Sequence, residues 1–128
     1  MMLELADACE KATGPDRELD ARIACAVKFR DLRPARPDDF DGKYGFSPGN
    51  IKVETGFLMA DRYTASIDAA LTLVPDGYEW LLEGEETERH YPPSPWLYKA
   101  EVGSIATGEG STPALALCAA ALRAGGQR

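Results

Sequence analysis

The 128-residue chain has the length of one domain, and 45% hydrophobic residues are enough to build a core. A formal net charge of −7 argues against a nucleic-acid binder, which needs lysine and arginine against phosphates, and equally against adhesion to anionic membranes. No apolar run reaches the roughly 20 residues that span a bilayer. The opening MMLELADACEK lacks the basic segment of a signal peptide, and Cys9, Cys25 and Cys118 are odd in number with no C-x-x-C, so the expectation is a cytoplasmic protein with buried, reduced thiols. His90 is the single histidine, and neither a metal site nor a cofactor is expected.

In chain order, Met2, Leu5, Cys9 and Ala12 recur at helical spacing and predict a first amphipathic helix. Thr13-Gly14-Pro15 ends it, with Pro15 suited to the first position of a second helix and Asp16 and Glu18 to its first turn. Leu19, Ile23, Ala26 and Val27 carry that helix's apolar stripe, so residues 1–29 read as an antiparallel helical hairpin. From 30 to 62 periodicity fails in a long loop rich in proline, glycine and aspartate, where only Ile51–Glu54 alternates as a short strand. Phe40, Tyr44 and Phe46 predict that this loop is ordered.

The segment 63–124 reads as helix, three strands, helix. Tyr63–Val74 is the third helix, capped by Thr64, with Ile67, Ala70, Leu71 and Val74 on one face. Pro75-Asp76-Gly77 turns into a strand Tyr78–Glu83, in which Trp80 is expected in the core. A weak strand near Thr87–Tyr91 and a longer one over Trp96–Ile105 follow, and Gly108-Glu109-Gly110 reads as a turn. Ser111-Thr112-Pro113 starts the last helix, with Leu115, Cys118, Ala119 and Leu122 as its stripe. Short links between strands predict an antiparallel meander, hence an α+β fold in which a three-stranded antiparallel sheet packs with helices.

Three runs carry a family resemblance: Gly14-Pro15-Asp16-Arg17-Glu18-Leu19-Asp20, Tyr63 through Leu71 continuing to Val74-Pro75, and Pro113 through Leu122. Together they resemble small phage and prophage proteins described as phage α-β-α sandwich domains. The resemblance implies an α-β-α sandwich and a phage or prophage origin. It implies no catalytic residue, because the family carries no assigned activity.

The candidate chemistry is thin. Cys118 and His90 could pair only if the thiol were exposed and activated, and Cys118 lies on an apolar stripe. Glu83, Glu85, Glu86 and Glu88 cluster at a turn, where solvation is the ordinary role. Asp38-Asp39-Phe40-Asp41-Gly42 resembles the start of a calcium loop but lacks the later glutamate. The helix–three strands–helix order matches a double-stranded-RNA-binding domain in outline, yet Ser111-Thr112-Pro113-Ala114 carries no base at the start of the last helix.

The leading expectation is therefore a non-enzymatic protein-binding module, with Phe40, Tyr44 and Phe46 facing a host or phage protein. One alternative is a small enzyme or small-molecule binder with a pocket under the 30–62 loop, using Tyr44, His90 or the glutamates. Another is an acidic inhibitor that imitates nucleic-acid phosphates. Leu81 and Leu97 could receive the helical hairpin or, in a homodimer, a second subunit.

Overall fold

The computed structural model describes residues 2–40, 47–85 and 97–126. Four helices, α1 (Met2–Lys11), α2 (Arg17–Val27), α3 (Ile67–Leu71) and α4 (Pro113–Gly126), combine with six strands: β1 (Arg33–Pro34), β2 (Asn50–Val53), β3 (Gly56–Met59), β4 (Trp80–Glu85), β5 (Leu97–Val102) and β6 (Ala106–Gly110). The strands form two antiparallel sheets, ordered β1-β2-β3 and β4-β5-β6. The fold is α+β, with the expected N-terminal helical hairpin and antiparallel meander.

Helix α4 is the centre. It carries no charge between Pro113 and Arg123, and every residue from Ala114 to Leu122 is at most 3% exposed. The stripe read from the sequence is thus only part of its buried surface, because β5 and β6 cover one side while α1 and α3 cover others. Thr112 caps the helix as expected, its hydroxyl accepting from Leu115 N at 3.2 Å.

The Gly108-Glu109-Gly110 run is a strand, not a turn. Gly108 pairs with Ala100 and Gly110 with Tyr98. A β carbon on Gly108 would lie 2.4 Å from Ala120 N and 2.6 Å from Ala116 O. One on Gly110 would lie 2.7 Å from Ala116 N. Backbone therefore packs on backbone, and a glycine run that reads as a loop is the strand nearest the central helix. The turn comes earlier, at Gly103 and Ser104 with φ of 64° and 59°, so β5 stops at Val102 instead of running to Ile105. The weak strand near Thr87–Tyr91 lies outside the described residues.

Trp80 is not a core residue. It sits opposite Val102, which is fully buried, but β4 is an edge strand and α4 lies mainly over β5 and β6, leaving Trp80 47% exposed. The hairpin does not cover the outer face of this sheet either. Helix α1 packs on α4 and β6, and Leu81 stays 50% exposed.

At the other side of the molecule the first two runs quoted above meet. Asp20, fully buried, accepts from Thr64 N and Thr64 Oγ1, both at 2.8 Å, and pairs with Arg17 at 2.8 Å. Arg17 also donates to Ala60 O at 2.8 Å, and Asp16 N donates to Thr64 Oγ1 at 2.8 Å. Asp16 and Thr64 take roles other than those expected. Asp16 is the α2 N-cap, accepting from Leu19 N, so Pro15 precedes the helix. Ser66, not Thr64, caps α3, because Thr64 is spent on Asp20.

The described residues of the 30–62 stretch are largely structured, not the long loop expected. Besides β1, β2 and β3 they hold a short 3-10 turn, Pro37–Asp39. Arg33 grips Asp39 with two bonds of 2.7 Å, and Phe40 stacks on Phe57 at a centroid distance of 4.4 Å. The expected strand at Ile51–Glu54 is β2, and Ile51 is its fully buried anchor.

Two substitutions test this packing. Gly108→Ala should cost about 2–3 kcal/mol by urea unfolding, since backbone atoms must move to admit the methyl group. Trp80→Ala should cost only about 1 kcal/mol, well below the range for a core aromatic. A larger loss at position 80 than at 108 would contradict the placement of α4.

Candidate functional site

The sheet edges β6, β1 and β3 are treated very differently. On β6 the alternation set by Gly103 N donating to Glu79 O turns Thr107 and Glu109 outward. Both are met by side chains: Glu109 N donates to Glu10 Oε2 at 2.9 Å, and Arg123 donates to Thr107 O at 2.9 Å. Arg123 also bridges Glu10 at 2.7 Å and Asp7 at 2.9 Å, which joins α4 to α1 across the edge. Edge β1 is two residues long, one of them proline, and packs on α2.

Among the described residues, edge β3 has no such cover. Ala60 N donates to Gly49 O at 2.8 Å, and Ala35 N to Asn50 O at 2.9 Å. These two bonds fix the alternation, so Gly56 and Leu58 bond to β2 while the N–H and C=O of Phe57 and Met59 point away from the sheet. Among the described residues, nothing hydrogen-bonds those outward groups. The side chains are apolar and exposed as well: Phe57 at 38%, Leu58 at 42% and Met59 at 71%. Phe57 is held in place by Phe40 on its ring and by Lys52, whose Nζ lies 5.1 Å from the ring centroid.

The structure thus places Phe40 beside the exposed strip, where it is half-buried and supports Phe57. Tyr44 and Phe46 lie outside the described residues, as does His90. Phe57, read from the sequence only as a loop anchor, belongs with Leu58 and Met59 to a strand whose three consecutive apolar residues do not alternate. Their flanking Gly56 and the Glu54-Thr55 turn were the available strand signals.

Other candidate chemistry recedes. Cys118 is fully buried and its thiol donates to Tyr63 O at 3.2 Å. The adjacent Cys9 thiol and burial push its pKa far up, so it is neutral and unactivated. Tyr63, pushed up to about 12 by burial and by Asp61, is likewise fixed as the phenol. Asp39 of the supposed calcium loop is occupied by Arg33 and by Arg36 N, and these contacts hold its carboxyl well below the usual range. Among the described residues no three histidine, cysteine, aspartate or glutamate side chains gather as a metal would need. No helix there is long and apolar enough to cross a membrane.

Comparison with known proteins found no matching family profile, no matching curated protein and no matching solved structure.

The guarded edge predicts a pH signature. Arg123 and Glu109 N hold the Glu10 carboxyl below its ordinary value of 4.5. A lowered carboxylate contributes stability that is complete above that ordinary value and is lost as pH falls through the folded value. Glu10→Gln should therefore cost about 1 kcal/mol at neutral pH, the pair being partly solvated. Urea midpoints of wild type and variant should converge in acid, and a gap that stays constant into strong acid would contradict this.

Proposed function

We propose that this chain is a non-enzymatic protein-binding module that takes an extended segment of another protein as an added strand on β3. The observation that supports it is the β3 edge, uncovered among the described residues, with outward backbone groups at Phe57 and Met59 flanked by exposed apolar side chains. Main-chain bonds to such an edge supply affinity, and alternate side chains supply selectivity. Folded proteins ordinarily protect edges of this kind, as Glu10 and Arg123 do for β6 here. The net charge of −7 favours a partner segment carrying basic residues. The resemblance of three runs to phage α-β-α sandwich proteins supports a phage or prophage protein working in the cytoplasm. The partner is then a host or phage protein.

Selection from a library of displayed linear peptides tests the reading. Binders should alternate apolar residues and lose at least about tenfold in affinity to Met59→Lys, which places a charge on the edge without touching the β2 ladder. Selected peptides that bind Met59→Lys as well as wild type would overturn the β3 site. A free chain that sediments as a dimer, and becomes a monomer on Met59→Lys, would replace the foreign partner with a second copy.

A further inference from the structure

A second feature lies away from the β3 edge. In a chain of net charge −7, the stretch Arg22–Arg36 carries five basic residues, Arg22, Lys28, Arg30, Arg33 and Arg36, against the single acid Asp31. The fold brings three of them to one concavity of about 420 Å³, between the helical hairpin and the start of β1. Its apolar wall comes from Leu5 and Ala26, which are buried, and from half-buried Leu32. The volume lies within the ordinary range for small-molecule sites.

The three arginines are not equivalent. Arg33 is committed to Asp39 through two bonds of 2.7 Å, so it forms a fixed wall. Arg22 and Arg30 are exposed, and among the described residues no carboxylate lies within ion-pair distance of either. Planar guanidinium groups beside an apolar wall suit the chemistry of one anionic head and one hydrocarbon body. Glu4 stands at the same rim and offsets part of the positive charge, which disfavours a polyanion.

We propose that this cleft binds a small amphipathic anion, its single anionic head taken by Arg22 and Arg30 and its apolar body lying against Leu5, Ala26 and Leu32. The site is independent of strand addition at β3, since no residue of β3 lines it.

Cys25 provides a local reporter. It lines the cleft and is half-buried, whereas Cys9 and Cys118 are fully buried. Burial raises the Cys25 pKa, so its alkylation by iodoacetamide is slow but measurable. Decanoate, kept below its micellar concentration, should bind saturably by calorimetry and slow Cys25 alkylation about fivefold or more at saturation. Decanol and inorganic phosphate, which offer the body or the charge alone, should each bind about tenfold more weakly or not at all. The double variant Arg22→Gln/Arg30→Gln removes two exposed guanidinium groups. It should keep the wild-type urea midpoint and lose about tenfold or more in decanoate affinity. Met59→Lys should leave decanoate binding unchanged, which separates this site from the β3 edge. Absence of saturable decanoate binding would overturn the proposal. So would equal binding of decanol, or wild-type affinity in the double variant.

Discussion

The constraint on which the rest of the structure depends is the close approach of β6 to α4. A sheet and a helix ordinarily stand apart by the thickness of their side chains. Here Gly108 and Gly110 leave no room even for a β carbon, so strand backbone meets helix backbone at Ala116 and Ala120. That contact brings Ala116, Ala119 and Ala120 fully into the interior and allows α1 and α3 to close over the remaining surface of α4. It also explains the composition of α4. A helix with sheet on one side and helices on others must be small and apolar at nearly every position, and the residues from Ala114 to Leu122 are alanine, leucine and one cysteine.

A second tie holds the far side. The Asp20 carboxyl is wholly buried, which is costly unless its oxygens are satisfied. Arg17, Thr64 N and Thr64 Oγ1 satisfy it, and the same arginine and hydroxyl reach the backbone at Ala60 and Asp16. No buried side-chain nitrogen or oxygen among the described residues is left without a partner. The network fixes the start of α2 against the chain that leads out of β3 into α3. It therefore anchors the chain just after β3.

These two anchors leave different surfaces behind. The β6 edge belongs to the α4 side and is closed by Glu10 and Arg123 as part of helix packing. The β3 edge belongs to the smaller sheet, whose core contribution is Ile51 on the middle strand, and its own apolar side chains face solvent. On the proposed reading, a strand ordered by the fold and uncovered along one side among the described residues could pair with another strand at little further cost in ordering entropy. The arginine-rich cleft sits on the opposite flank of that small sheet, beside β1, where the positive stretch of an acidic chain is gathered.

By itself the sequence determined the helical hairpin, the cap and start of α4, the turn at Pro75-Asp76-Gly77, the strand at Ile51 and the burial of Cys118. Each rests on a local rule, and local rules act between residues a few positions apart. Only the tertiary structure decided the rest. Gly108 and Gly110 read as a turn because glycine's local preference favours one, while the approach of a helix six or more residues later required a strand without side chains. Trp80 read as core because it alternates with charged neighbours, but alternation gives a face and not a position within the sheet, and an edge strand lies beyond the helix that covers its neighbour. Thr64 read as a cap because nothing local announces that Asp20, 44 positions earlier, will claim its hydroxyl. The β3 edge, uncovered among the described residues, is of the same kind. Whether a strand's outer N–H and C=O groups are covered depends on what the fold places beside them, and no pattern along Gly56–Met59 records that.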